Sequence, residues 1–429
     1  MLIASYKRPV SLVVLADILA FGLLFFYREP HDFYILGAGL LIITLIAGTY
    51  LFIVKKELGD EYLFLIVSML ASVGFIMIYR LNRGLGFKQI VWFSGGIVLF
   101  FLSYFIYIRI KIWNKLMYAY AFASFGLFLV TLVFGSNIKG STNWIVIKGF
   151  SFQPSELIKI LFIFTLACYL THSEQIFLNA LTLKLKQIKI KGRIALMAIV
   201  YMFMGFLVMQ RDWGTALLFF IIYITMMYVF DADMKFLLLN VIIAALGGTA
   251  GYFALYHIRV RVVTWLNPWA DIAGKGYQIT QSLFAIGSGG FFGTGLGMGR
   301  PDYIPEVTTD FIFSAICEEM GIFGGVAVIL LYFLLAYRGI KIVLKTGDTF
   351  KKAVALGITC MFGFQTFIII GGVIKLIPLT GITLPFISYG GSSLTTSFIQ
   401  LGILEAVSRE GGQDEGSISD EGSISDEGR

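Results

Sequence analysis

Apolar residues arrive in long runs along this chain, separated by short polar breaks. Runs near 10–27, 34–54, 62–79, 89–108, 115–134, 155–171, 194–209, 214–230, 235–257, 311–337, 353–374 and 386–407 each approach the roughly 20 apolar residues that a helix needs to cross a bilayer. A helix satisfies its own backbone hydrogen bonds in lipid, so the pattern predicts twelve transmembrane helices. Gly371, Gly372, Gly390 and Gly391 sit in the last two runs and allow bent or partly re-entrant helices there. One polar stretch, residues 264–310, is too long for a plain connector. Its closely spaced Gly293, Gly295, Gly297 and Gly299, with Pro268, Pro301 and Pro305, predict a shaped, non-helical surface on one membrane face. The chemistry is expected on that surface.

Composition fixes the class. With 58% hydrophobic and 14% charged residues and a mean hydropathy of +0.85, a soluble domain could not hide the apolar surface, so this is a polytopic membrane protein. The net charge of +7 changes the picture only through its distribution. With the N-terminus in the cytoplasm, inner segments carry 20 of the 33 Lys and Arg residues and outer segments 12, with Lys159 inside a span. That bias predicts both termini inside and residues 258–310 outside, and it makes a nucleic-acid partner unnecessary. No small-residue cleavage site follows the first run, which is expected to stay as an anchor.

An outer loop has no ATP, and the chain has no GxxxxGK[ST] phosphate loop, so a substrate handled there must carry its own energy. The run GTGLGMG lacks the strand-turn-helix setting of a dinucleotide site and reads as a tight backbone path near a phosphate or sugar. Cys168, Cys317 and Cys360 fall inside spans as packing residues. His31, His172 and His257 are scattered at span ends, where an interfacial role is expected and no metal pair forms. After Ser408 the chain turns acidic and repetitive, and a disordered cytoplasmic tail is expected.

Ionisable groups at membrane depth are costly unless they pair or face a polar cavity. Glu156 and Lys159, three apart at the start of a span, share one helical face as either a functional site or a structural ion pair, with Ser155 as a candidate helix cap. Glu318 and Glu319 could line a cavity or cap a neighbouring helix. Arg211 and Asp212, in a short outer turn, are expected to satisfy each other.

Five stretches in order resemble one family: WIVIKGFSFQPSELIKI from Trp144, DWGTAL from Asp212, NPWADIAGKGYQITQSLFAIGSGGFFGTGLG from Asn267, IPEVTTDFIFSAICEEMG from Ile304 and PLTGITLPFISYGGSSL from Pro378. They are similar to the SEDS proteins, which include FtsW, RodA and SpoVE, from about Leu63 to Ser408. The resemblance implies an all-α fold with a ten-helix core at 62–408 and a large outer loop at 258–310. Residues 1–61 then add two N-terminal helices, and 409–429 form the tail. It implies a peptidoglycan glycosyltransferase of the bacterial cytoplasmic membrane that polymerises lipid II outside the cell, with a class B penicillin-binding protein as partner, in elongation, division or sporulation. The chain departs from the family pattern at Ile272, where proline usually follows the loop aspartate, and at Asn143, Thr308 and Ile369.

Sugar transfer from a pyrophosphate lipid needs a base for the acceptor hydroxyl, a site for the leaving group and a groove for lipid. Asp271 follows Trp265, Pro268 and Trp269, apolar neighbours expected to raise a carboxylate pKa, and it aligns with the family's catalytic aspartate. The competing role is a loop-capping Asp beside Gly274. Lys275, Arg300 and Arg211 are outer cations for the leaving group, with Mg or Mn as an alternative. Gln278, Glu306, Asp310, Glu156, Lys159, Gln210, Glu319 and Ser388 complete the expected substrate contacts. A lipid II flippase and a non-catalytic scaffold are the alternatives.

Overall fold

The computed structural model describes residues 8–27, 32–138, 141–147, 150–172 and 192–424, with side chains as far as 409. His31 and the side chain of His172 lie outside the described residues. Fourteen α-helices dominate them: α1 Arg8–Tyr27, α2 Phe33–Lys56, α3 Glu61–Leu81, α4 Arg83–Arg109, α5 Met117–Phe134, α6 Pro154–His172, α7 Gly192–Met209, α8 Trp213–Phe230, α9 Met234–Ala254, α10 Tyr256–Leu266, α11 Tyr277–Gly289, α12 Ile312–Lys345, α13 Thr349–Val373 and α14 Gly391–Ile424. Eleven of them, all but α10, α11 and α14, are long and apolar enough to span a membrane. The twelfth expected span corresponds to α14. It begins at Gly391 rather than 386 and is rich in Ser and Thr, so it is buried by the protein rather than offered to lipid.

The core sits around α3, α6 and α13, the spans with the largest buried share, while α1 and α9 remain mostly exposed to the surroundings. Aromatic packing ties the layers together: Phe162 of α6 stacks on Phe219 of α8 with centroids 4.2 Å apart. Helix α1 packs on this core through Phe21 against Phe75, ring centroids 5.5 Å apart, and α2 is fixed to it at both ends. Asp32 accepts a hydrogen bond from Tyr79 Oη at 2.7 Å and pairs with Arg83 at 3.1 Å, while Tyr50 Oη donates to Glu61 at 3.1 Å.

Three segments between helices shape the site. Residues 136–152 form a three-stranded antiparallel sheet, β1 Ser136–Ile138, β2 Ser141–Ile147 and β3 Phe150–Phe152, where the hydropathy pattern signals only a connector. The 264–310 stretch, expected to be non-helical, contains the end of α10, all of α11 and 3₁₀ turns at Pro268–Asp271 and Pro301–Tyr303. In α11, Ile279 and Ala285 share a buried face against α12, enough to hold a 13-residue helix. The third segment, 374–390, re-enters the protein between α13 and α14 and buries Leu384, Phe386 and Ile387.

One expectation needs correction here. Helix α12 is broken at Gly321, where φ is 69° and ψ is −172°, a conformation reserved for glycine. The α14 backbone runs on past Ser408 to Ile424, and 425–429 lie outside the described residues.

Candidate active site

A polar cavity of about 190 Å³ opens beneath the interhelical loops, between the sheet, α6, α8, α10 and the 374–390 segment. Its walls carry Glu156, Arg211, Asp212, Arg261, Glu306 and Asp310. Sequence order separates these residues by up to 154 positions, and the helices bring them to one chamber.

Asp212 organises one wall. Its Oδ1 caps α8 by accepting the Thr215 N–H at 3.2 Å. Its Oδ2 accepts from Asn143 Nδ2 at 3.1 Å, Gln153 Nε2 at 3.2 Å and Ser155 Oγ at 3.2 Å. The expected Arg211–Asp212 pairing is therefore replaced: the carboxylate is consumed by neutral donors and a helix N-terminus. Arg211 adopts a left-handed φ of 59° and is exposed at the cavity mouth. Ser155, the expected cap of α6, spends its hydroxyl on Asp212 instead. Gly214 permits this wall to close, since a Cβ there would strike Ile382 and Thr380 of the re-entrant segment.

The floor is a buried ion pair. Lys159 Nζ lies 2.8 Å from Glu156 Oε1 and donates to Gln365 Oε1 at 3.1 Å, while Thr396 Oγ1 donates to Glu156 Oε2 at 3.2 Å. Three helices, α6, α13 and α14, thus share one charge-assisted network, and both charges of the pair are satisfied. Glu156 faces the cavity; Lys159, only 1% exposed, lies behind it.

Arg261 of α10 closes the opposite side, donating from one guanidinium nitrogen to the carbonyls of Leu379 at 2.9 Å and Thr380 at 2.8 Å. Burial pushes its pKa down, against the opposing pull of Asp310 and Asp212, and arginine remains charged regardless. One turn earlier, His257 Nε2 accepts the indole N–H of Trp213 at 2.8 Å, joining α10 to the first residue of α8. Glu306, at φ 59°, accepts three backbone N–H groups from Thr309, Asp310 and Phe311 on its carbonyl and shapes the turn that carries Asp310. Ser388 is a wall bolt: its hydroxyl donates to Thr309 O at 2.6 Å and accepts from Leu384 N at 2.9 Å.

Asp271 lies outside the cavity lining, exposed at the end of the Pro268–Asp271 turn. Its Oδ2 accepts the Lys275 N–H at 3.0 Å and its carbonyl accepts the N–H groups of Gly274 and Gly276, so it does cap its own loop. A Cβ on Gly274 would come within 2.5 Å of both carboxylate oxygens, so only glycine admits this fold-back. Lys275 Nζ sits 5.5 Å above the Tyr256 ring, and the tyrosine, first, and Asp271 hold its pKa above the usual range. Gln278 follows on the first turn of α11, half-buried.

Three other expected contacts lie elsewhere. Gln210 is 1% exposed, gives its side-chain N–H to Phe128 O at 3.4 Å and accepts Ser141 Oγ on its carbonyl, which makes it an anchor for the sheet. Glu319 pairs with Arg80 at 2.6 Å and accepts Gly297 N at 2.9 Å, and Glu318 accepts Arg300 N at 2.7 Å. The glycine run therefore wraps two of the protein's own carboxylates, which occupy the backbone N–H groups of Gly297 and Arg300 that the expected phosphate or sugar would need. Arg300 points its exposed side chain to Tyr303 Oη at 3.2 Å.

Among the described residues no three His, Cys, Asp or Glu side chains gather in a group that could hold a metal ion. Sequence reasoning missed Asp212, Arg261 and Gln365 as site residues. Asp212 carried a signal, an Asp two residues before Gly214 and three before the Thr215 N–H it caps, and Gln365 was a polar residue in an apolar span. Arg261 carried none, because its role depends on where the 374–390 segment returns.

A many-helix membrane protein with a polar chamber roofed by charged loops is the class these observations define. The chain belongs to the FtsW/RodA/SpoVE family, described as cell cycle proteins, whose sequence model matches residues 60–413. It is 33% identical to the peptidoglycan glycosyltransferase RodA of Mycobacterium tuberculosis over 94% of this chain and 90% of that protein. It is 37% identical to the stage V sporulation protein E of Bacillus subtilis over 83% of this chain and 98% of that protein. Among solved structures it resembles a chain from work on the structural coordination of polymerization and crosslinking by a peptidoglycan synthase complex, with a TM-score of 0.69, 28% identity and coverage of 82% of this chain and 98% of that one. The rod shape determining protein RodA of Thermus thermophilus matches at a TM-score of 0.59 and 28% identity, over 82% of this chain and 97% of that one.

Proposed function

We propose that this chain is a peptidoglycan glycosyltransferase that polymerises lipid II on the outer face of the cytoplasmic membrane, with Asp271 as general base. The observation that carries the assignment of the base is an exposed carboxylate fixed on a short turn: Lys275 N–H holds one oxygen, and the other is presented to an incoming group. Asp271 takes the proton of the GlcNAc 4-hydroxyl as that oxygen attacks the MurNAc anomeric carbon. The bond to undecaprenyl pyrophosphate breaks, and the configuration inverts. General-base assistance of this kind is worth on the order of 10²- to 10⁴-fold.

The cavity supplies the rest. Arg211 and Arg261 are the cations that line it, with Lys275 beside the base, and they face the charge that develops on the leaving pyrophosphate. Glu306 and Asp310 offer acceptors for sugar hydroxyls. The Lys and Arg bias supports a mouth that opens outside and termini that stay in the cytoplasm. A class B penicillin-binding protein is the partner that would crosslink the product, a reading supported by the resemblance to a chain of a peptidoglycan synthase complex.

The test is polymerisation of lipid II by purified protein, alone and with its candidate transpeptidase. Glycan polymer supports the enzyme. Lipid movement across vesicles without polymer would move the assignment to a transporter.

A further inference from the structure

A second pair of cavities lies at the opposite membrane face. An apolar groove of about 260 Å³ runs between α4, α5, α6 and α14 and is lined by Leu99, Leu102, Tyr107, Trp113, Leu161 and Ile403 among others. Its polar residues have their hydroxyls turned inward: Ser103 Oγ donates to the carbonyls of Phe100 and Ile399, and Tyr120 Oη to that of Trp113. From Leu99 to Tyr107 the groove advances roughly 12 Å along α4, ending near Arg109 in its last turn, with Lys111 just beyond the helix. That is close to the half-thickness of a bilayer's hydrocarbon core, roughly 15 Å. A groove this short suits the chain of one leaflet rather than a long polyprenyl tail.

Tyr107 and Trp113, whose rings stack at 5.9 Å, also line a polar pocket of about 380 Å³ with Lys111, Asn114, Asp348 and Lys351. The groove and the pocket thus form one channel, apolar in the membrane and basic at its foot. Asp348 caps α13 by accepting the Lys351 N–H at 2.8 Å, and the exposed Lys111 stands across from it on the α4 side. Asn114 Oδ1 is shielded from solvent and has no hydrogen-bond partner among the described residues. It is an acceptor that needs a donor.

We infer that this channel binds an anionic glycerophospholipid of the inner leaflet, its acyl chain in the groove, its phosphate at Lys111 and Lys351, and a headgroup hydroxyl donating to Asn114. The inference rests on the orientation given above only in naming the leaflet. A phosphodiester alone offers no donor to Asn114, whereas a glycerol headgroup offers both charge and hydroxyl, so phosphatidylglycerol is the fitting chemistry.

The experiment is native mass spectrometry of the delipidated full chain, titrated with phosphatidylglycerol, phosphatidylethanolamine or phosphatidylcholine. Phosphatidylglycerol is expected to bind at least fivefold more tightly than phosphatidylcholine, and Lys111→Gln to weaken it about fivefold, in line with the strength of one lysine near an anionic membrane surface. Leu102→Trp, which fills the groove, should reduce binding of all three lipids, and glycerol phosphate without chains should not compete. Equal binding of charged and neutral lipids, or an unchanged preference in Lys111→Gln, would overturn the inference, and competition by glycerol phosphate would reduce it to a phosphate site. Asp271→Ala should bind lipid as the wild type does, so failure here is separable from failure of the catalytic assignment.

Discussion

At the scale of single residues, the site depends on groups whose partners are fixed in advance. Asp212 satisfies four donors, so Asp212→Ala should leave Asn143, Gln153 and Ser155 without an acceptor and cost at least about 2 kcal/mol. A fall in melting temperature of the purified protein checks this, with Asp212→Asn between Asp212→Ala and wild type because one amide oxygen replaces two acceptors; an unchanged Asp212→Ala would show that the network carries no stability. His257 makes a second, pH-dependent claim. Burial first, then Arg211 and Arg261, lower its pKa, and only the neutral ring accepts the Trp213 N–H. The unfolded chain then binds the proton more readily than the folded one, so the contribution is complete above about pH 6.5 and is lost as pH falls through the lowered folded value. Thermal unfolding should show stability dropping on acidification from pH 7.5 to 5.5, with a shallower drop in His257→Gln. An identical slope in the variant would refute the role of His257. The sequence marked this histidine only as interfacial, because its acceptor role arises from the meeting of α8 and α10 and not from any local spacing.

At the scale of elements, the surface over the cavity is built by interrupting helices. Gly321 breaks α12 so that Ile322 N and Phe323 N turn to the carbonyls of Gly290 and Phe291, which anchors the end of α11 and the glycine run beside it. Gly321→Ala places a Cβ against the Phe291 carbonyl in a backbone region that only glycine occupies readily, a cost of about 1–3 kcal/mol before any steric term. A lowered melting temperature, with the loop near Phe291 opened to limited proteolysis, is the expected result; wild-type resistance would mean the break is incidental. Hydropathy located the twelve apolar runs because lipid imposes length and composition on each. It could not locate the break or α11, since both are stabilised by neighbours distant in sequence, nor the three short strands, which pair locally but are anchored to the Gln210 carbonyl 69 positions away from Ser141. The glycine spacing was legible as a tight path, but what it wraps was not: Glu318 and Glu319 became its partners only once α12 returned beside it.

At the scale of the whole molecule, the fold divides labour across the membrane. Helices α6, α13 and α14 hold the buried Lys159–Glu156 network, the loops over the cavity set Asp271, and α2 clamps to the core through Asp32. The ten-helix core and its two added helices were readable from five ordered motifs, and the matched region, 60–413, starts where α3 begins. The pairing of Glu156 with Lys159 was also readable, from their spacing of three on a helix. The separation of Asp271 from the cavity lining was not, because it depends on how the extended Leu255 redirects the chain between α9 and α10.

The central claim is that Asp271 acts as a base and does more than cap its turn, and the two roles part at one substitution. An asparagine at 271 keeps a side-chain oxygen for the Lys275 N–H but cannot take a proton at neutral pH. The decisive measurement is lipid II polymerisation by purified wild type, Asp271→Ala and Asp271→Asn, each with the transpeptidase partner and each shown to be folded by its melting temperature. Loss of activity by about 100-fold or more in both variants, with Asp271→Asn as stable as wild type, is the predicted result. Polymer from Asp271→Asn at the wild-type rate, with none from Asp271→Ala, would contradict the account and leave Asp271 as a cap.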